Sequence, residues 1–61
     1  MKYSELEKKL RKIGCYYTGK TVNGHPEWFS PKTGNRFQLG HHKSQEVAIK
    51  TLLKIIKASG L

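Results

Sequence analysis

The sequence predicts an α+β fold in which two helices pack on one face of a three-stranded antiparallel sheet, in the order α-β-β-β-α. Apolar residues recur at helical spacing near both ends of the 61-residue chain. Between them, short β-branched and aromatic segments are separated by two turn sequences, Asn23-Gly24 and the segment 31–34. A chain of this length has room for one small core, so we expect a single domain over residues 1–61.

The first helix is predicted from about Glu5 to Ile13. Ser4 and Glu7 have the spacing of a capping box, in which each side chain binds a free backbone amide at the helix start. Gly14 follows the last periodic residue and suits a left-handed helix stop. The residues at i, i+4 and i+7 that define the apolar face are Leu6, Leu10 and Ile13.

Three strands are predicted between the helices. The third strand alternates polar and apolar residues, so Phe37 and Leu39 should face the core. Trp28 and Phe29 are neighbours on the second strand, so one of them faces the core and the other does not. The predicted strands cover residues 15–18, 27–30 and 35–39.

The second helix is predicted from about Gln45 to Ala58. Ser44 is a candidate cap, Glu46 is expected to favour the helix start by its charge, and Gly60 should close the helix. The apolar residues at helical spacing are Ile49, Leu52, Leu53 and Ile56, and the lysines on another face are Lys50, Lys54 and Lys57.

The charge balance is strongly basic, with 12 Lys and Arg against four acidic residues and a net charge of +8. Such an excess of positive charge indicates what kind of partner the protein binds, but it does not indicate the fold. Nucleic acid is the favoured partner, because binding phosphates releases counterions. An anionic membrane surface or an acidic protein partner also fits this charge.

The composition also suggests a compartment. A single cysteine, Cys15, excludes an internal disulfide and is expected to be a buried structural residue. The sequence shows no signal peptide and no apolar run of about 20 residues, the length a membrane-spanning helix needs. We therefore expect a cytoplasmic protein with no membrane association.

His25 is the candidate catalytic residue. It follows the Asn-Gly turn, and histidine titrates near neutral pH, so it suits a general acid or base. On RNA, a neutral imidazole can take the proton from a 2′-hydroxyl that attacks the adjacent phosphate, which requires no metal. The simpler interpretation is a solvated loop histidine, which sequence alone leaves open.

Metal and cofactor sites are not predicted. The chain has no His-Glu-x-x-His motif and no cysteine pair, and His41 and His42 are adjacent. The outward aromatic residue on the second strand could stack a nucleic-acid base or could simply cover the core edge. Because they lie close to the hairpin in sequence, Lys20, Lys32 and Arg36 are expected to hold phosphates.

The segment 23–34, Asn-Gly-His-Pro-Glu-Trp-Phe-Ser-Pro-Lys-Thr-Gly, resembles a characteristic segment of HicA toxins, also called YcfA-like proteins. The ending 51–61 is similar to the ending of that family, and 4–14 is similar to its first helix. The resemblance implies a fold like that of double-stranded-RNA-binding domains, ribonuclease activity against messenger RNA, and neutralisation by a HicB antitoxin. It assigns the catalytic histidine to His25 and RNA binding to His42.

The chain departs from this family in three places. His41 and Gly40 stand where the family has Arg and Pro before the last helix, and Lys50 replaces a glycine. Pro26 directly after His25 disfavours helical dihedrals at His25. These changes affect substrate contacts more than the fold.

Together with this resemblance, the sequence predicts a metal-independent endoribonuclease that needs no small-molecule cofactor. The resemblance implies that it is a toxin with RNA and a HicB-type antitoxin as partners. The alternative is a non-catalytic RNA-binding module of the same architecture. The segment 45–50 lacks the clustered lysines that begin the last helix of such modules. A third hypothesis is a domain that only binds an acidic protein.

Overall fold

The computed structural model describes residues 1–40 and 44–61 of the chain. The elements are α1 (Tyr3–Lys12), β1 (Tyr16–Val22), β2 (His25–Phe29), β3 (Arg36–Gln38) and α2 (Ile49–Ser59). The strands form one antiparallel sheet in the order β1-β2-β3, so β2 is central. The predicted α+β class and the α-β-β-β-α order are confirmed.

The start of α1 differs from the prediction. The helix begins at Tyr3, upstream of Glu5, and its N-cap residue is Lys2, which makes no side-chain capping bond. Ser4 lies inside the first turn, so the capping-box prediction is wrong. The first helical amide finds a backbone partner instead, because the Tyr3 N–H donates to the Gln45 carbonyl over 3.0 Å. A contact distant in sequence thus replaces the local cap.

The start of α2 also differs from the prediction. The helix begins at Ile49 and not at Gln45, and its N-cap residue Ala48 makes no side-chain capping bond. Ser44 is therefore not the cap. The prediction placed residues 45–47 in the first turn of α2. In the structure they pair with residues 1–3 at the beginning of the chain.

This pairing explains the role of Glu46. Lys2 and Glu46 form an antiparallel β-bridge, and the Val47 N–H donates to the Met1 carbonyl over 2.9 Å. The Glu46 carboxylate also lies 2.7 Å from the Met1 ammonium. The hydrogen bond and charge of that ammonium hold the pKa of Glu46 below its ordinary value of about 4.5. The prediction that Glu46 acts at the start of α2 is wrong, since it anchors the chain start beside α1.

The Asn-Gly hairpin forms as predicted. Asn23 has φ +52° and Gly24 has φ +79°, so both central residues are left-handed, as a type I′ turn requires. Such a two-residue turn allows pairing to continue to the hairpin end, where Val22 faces His25. Both strands are therefore longer here than predicted, and His25 is the first residue of β2.

The inner face of the sheet packs against both helices. Trp28 and Phe37 are 4% and 9% exposed, and Leu39 is also buried, which confirms the predicted inward orientation of Phe37 and Leu39. Cys15 is buried, as expected. The core joins residues from both helices, the sheet and the 44–48 segment: Leu6, Leu10, Cys15, Trp28, Phe37, Leu39, Val47 and Ile55.

The opposite side of the sheet, here called the outer face, carries the residues that alternate with the buried ones. Phe29 is thus the outward member of the Trp-Phe pair. All of these side chains are exposed or partly exposed. The outer face consists of Tyr16, Thr18, His25, Glu27, Phe29, Arg36 and Gln38.

The turn between β2 and β3 holds the end of α2. The Ser30 hydroxyl donates to the Ser59 carbonyl over 2.7 Å, and both residues are fully buried. The Thr33 hydroxyl and the Asn35 side-chain amide both donate to the Ala58 carbonyl. These carbonyls lie in the last turn of a helix, where intrahelical donors are lacking. The turn therefore caps α2 and fixes it against the sheet; we call this contact the helix clamp (Ser30, Thr33, Asn35, Ala58 and Ser59).

The helix clamp makes a first prediction. Ser30→Ala removes a buried donor and leaves the Ser59 carbonyl without it, which should cost about 1–3 kcal/mol of unfolding free energy. Ser4→Ala is the control. Because Ser4 lies inside α1, its replacement by alanine should raise the free energy of unfolding slightly, whereas replacement of a true N-cap serine would lower it by about 1 kcal/mol. Urea unfolding of both variants measures this. Equal stability of Ser30→Ala and wild type would contradict the clamp.

Gly60 makes a second prediction. It closes α2 as predicted, with φ +77°, and an added Cβ would lie 2.9 Å from the Thr33 methyl group. Gly60→Ala should therefore lose about 1–2 kcal/mol from backbone strain alone, and more from the collision. Gly24 has a similar φ of +79°, but a Cβ added there would have no neighbouring atom within 4 Å. Gly24→Ala therefore measures the backbone strain without a collision. Thermal unfolding should show a larger loss at position 60, and the reverse order would contradict the contact.

Candidate functional site

His25 occupies an exposed position at the beginning of β2, immediately after the type I′ turn. Its neighbour Pro26 is buried on the inner face, so strand alternation directs the His25 side chain to the outer face. The extended backbone at His25 is also the conformation that a following proline favours. The structure thus presents the imidazole to solvent from the central, best-supported strand.

A groove of about 500 Å³ runs between β3 and α2 and includes His25 in its lining. Arg36 and Gln38 contribute polar groups from β3, and Thr51 and Lys54 contribute polar groups from α2. Among its lining residues that the structure describes, no Asp or Glu is present, so the groove combines one imidazole with two cations. This composition favours a polyanionic ligand and offers a proton acceptor beside it.

The Arg36 side chain is held by a neighbouring carboxylate. Arg36 Nε lies 3.5 Å from Glu27 Oε1, and the Thr18 hydroxyl donates to the same oxygen over 3.3 Å. The Glu27 side chain is only 14% exposed, whereas that of Arg36 is 67% exposed. The partly buried carboxylate orients the arginine, and the guanidinium remains accessible to a ligand.

The structure brings some of the sequence-predicted site residues together and separates others. His25 and Arg36 line the same groove. Within residues 1–40 and 44–61, Lys20 and Lys32 are not part of that lining. Lys20 is exposed on β1, and Lys32 lies beyond the other end of β2, where its side chain approaches Gly60. His42 lies outside the described residues, as does His41.

The polar groove residues Gln38, Thr51 and Lys54 were not predicted as site residues. Helical spacing places Lys54 on a polar face with two other lysines, and nothing in that pattern distinguishes one lysine from the others. Only the packing of α2 against β3 shows that Lys54 and His25 line the same groove.

The basic residues of α1 lie elsewhere. Arg11 pairs with Glu7 over 3.1 Å, and its guanidinium lies 4.9 Å from the Trp28 ring, on the helix side of the sheet. A smaller cavity of about 240 Å³ there is lined by these three residues among others. In the described part of the chain, the groove at His25 therefore gains no cation from α1.

The comparison with protein families decides the class. The family model described as the HicA toxin of bacterial toxin-antitoxin matches residues 3–61. The chain belongs to the HicA toxin family. No curated protein and no solved structure matches it.

Membership of the HicA family makes the protein the toxin of a toxin-antitoxin pair, so the kind of protein partner is an antitoxin. None of the helices in the described part of this HicA toxin has the length and apolarity needed to cross a membrane. The HicA match includes the helix clamp, the hairpin and both groove-forming elements, since it extends over all five elements.

Proposed function

We propose that this HicA toxin is a metal-independent endoribonuclease that cleaves messenger RNA in the cytoplasm and is inhibited by a HicB-type antitoxin. The observation that supports this most is the position of His25, exposed at a groove that also contains Arg36 and Lys54. Membership of a toxin family gives the activity a biological setting.

The proposed reaction uses groups that the substrate and the groove supply. Neutral His25 accepts the proton of a ribose 2′-hydroxyl, and the 2′-oxygen attacks the adjacent phosphorus. The bond from phosphorus to the 5′-oxygen breaks, which leaves a 2′,3′-cyclic phosphate. The departing 5′-oxygen takes a proton from solvent water, and the protonated His25 returns its proton to solvent. Because the nucleophile belongs to the RNA, this reaction needs no metal-bound water.

Arg36 and Lys54 support the same reaction electrostatically. Negative charge grows on the phosphate oxygens as the 2′-oxygen attacks, and fixed cations beside them stabilise that charge. Arg36 is already oriented by Glu27, so little reorganisation is needed when the substrate binds. An antitoxin that covers this groove would block both the imidazole and the cations, which is the basis we propose for inhibition.

Substitution of His25 gives the third prediction. His25→Ala should reduce the cleavage rate about 10²–10⁴-fold, because it removes the proton acceptor, while RNA binding persists. Cleavage of a labelled RNA, resolved by electrophoresis, measures the rate, and growth arrest on controlled expression measures toxicity.

Two controls accompany this test. An oligonucleotide with a single 2′-deoxyribose at the cleaved position should resist the wild-type protein, since the nucleophile is missing. Undiminished cleavage by His25→Ala would overturn the proposed mechanism. Retardation of duplex RNA without any cleavage by the wild type would favour the non-catalytic RNA-binding module.

Lys54 gives the fourth prediction. Lys54→Gln should weaken RNA binding and reduce the salt dependence of affinity by the equivalent of about one phosphate contact. Lys57→Gln is the matched control, because it removes one charge from the same helix at an exposed position that is not among the described groove residues. Both substitutions are made in His25→Ala, and affinity is measured by fluorescence anisotropy over a salt series. Equal effects would show that only net charge matters and not the groove.

A further inference from the structure

Three planar side chains form a row across the outer face, one from each strand. Tyr16 on β1 is paired in register with Phe29 on β2, and Phe29 is paired with Arg36 on β3. The Tyr16 and Phe29 ring centroids are 5.7 Å apart with the rings inclined at 59°, and the Arg36 guanidinium carbon lies 5.9 Å from the Phe29 centroid. We call these three residues the stacking row.

The stacking row faces away from the core. Tyr16 is 51% exposed, and the Arg36 side chain is 67% exposed, whereas Phe29 between them is partly covered. Phe29 thus supports two exposed planar groups, a phenol ring and a guanidinium. Nucleic-acid bases stack on both kinds of surface, and this stacking tolerates any base because every base has a π-face.

The stacking row lies on the same face of the sheet as His25, and its central residue Phe29 lies on the same strand. Phe29 follows His25 by four positions on β2, which corresponds to about 13 Å along an extended strand. At the rise of about 3.4 Å per nucleotide of a stacked strand, about four nucleotides span that distance, and a more extended single strand spans it with fewer. A base on the stacking row and a phosphate at His25 can therefore belong to one short segment of RNA.

The connection between the outer face and the cationic groove favours RNA as the occupant. Arg36 belongs to both the groove and the stacking row, so the phosphate-binding surface and the planar surface are continuous. Glu27, which lies between His25 and Phe29 on β2, contacts Arg36 through its carboxylate and is partly buried. It presents little free negative charge to a phosphate backbone.

We propose that the stacking row binds an unpaired base within about four nucleotides of the cleaved bond, so that the substrate of this toxin is single-stranded in that segment. This inference rests on the proposed ribonuclease function, because His25 defines the cleaved bond. Bases within a duplex are stacked on each other and cannot reach an aromatic side chain, so a duplex would not use this surface.

The test uses stacking fluorescence, which does not depend on cleavage. The probe is a uridine-rich single-stranded RNA with one 2-aminopurine, whose fluorescence falls when the base stacks, bound to His25→Ala. A set of such RNAs places the probe base at successive positions. We expect strong quenching at one or two positions, and loss of quenching with about tenfold weaker binding in Tyr16→Val.

The chain provides a matched control for Tyr16. Tyr17 is the next residue of β1 and is 47% exposed, but it pairs with Trp28 on the helix side of the sheet. Valine keeps the strand preference at both positions. Tyr17→Val should therefore leave quenching and affinity unchanged. Equal effects of the two substitutions, or unchanged quenching in Tyr16→Val, would overturn the proposal.

A second variant keeps the proposal testable if Tyr16→Val does not fold, which circular dichroism reports. Arg36→Lys retains the positive charge but removes the planar guanidinium, so quenching should decrease while the salt dependence stays the same. Unchanged quenching in Arg36→Lys would then count against the stacking row. If the probe base is quenched but the wild type cleaves no RNA, the stacking row is supported and the nuclease function is rejected. If the wild type cleaves RNA but no probe base is quenched, the nuclease function is supported and the stacking row is rejected.

Discussion

The helix clamp is the constraint on which the groove depends. In a chain of 61 residues the core is small, so apolar contacts give α2 only limited support. Three side-chain donors from the 30–35 turn fix the last carbonyls of α2, and one of these hydrogen bonds is fully buried. Because the same turn joins β2 to β3, it sets the distance between β3 and α2. The segment that most resembles the family motif thus includes residues that build the groove as well as His25.

Strand alternation on β2 supplies the second constraint. Pro26 and Trp28 are buried, so His25, Glu27 and Phe29 must share the outer face. A register shift of one residue would bury the imidazole and expose the tryptophan. The type I′ turn pins the register at one end, and the helix clamp pins it at the other. A small domain therefore fixes the position of a candidate catalytic imidazole without an enclosed pocket.

The fold could be predicted from the sequence because local signals agree with it. Asn23-Gly24 specified the hairpin, and the alternation of Phe37 and Leu39 specified the inner face. Both predicted helix starts were wrong because the Lys2–Glu46 bridge joins segments 44 residues apart. Local periodicity cannot indicate a contact between residues so distant in sequence. His25 was predicted as a candidate site residue from its position after the turn, and the structure places it in the groove. Lys54 could not be predicted, because helical spacing gives equal weight to every lysine on an exposed face.

Arg36 belongs to both of the surfaces that we propose for ligand binding, the groove and the stacking row. Its guanidinium has five N–H donors and forms an ion pair with Glu27 on the Nε side, so the donors on its two terminal nitrogens can bind a phosphate while the plane stays available to a base. A lysine at this position could provide the charge but not the plane. Glu27 and Thr18 hold the guanidinium over the Phe29 ring, which links the position of the cation in the groove to the geometry of the stacking row. Cleavage and base binding in this toxin are therefore expected to change together when Glu27 changes, although its carboxylate needs no direct contact with RNA.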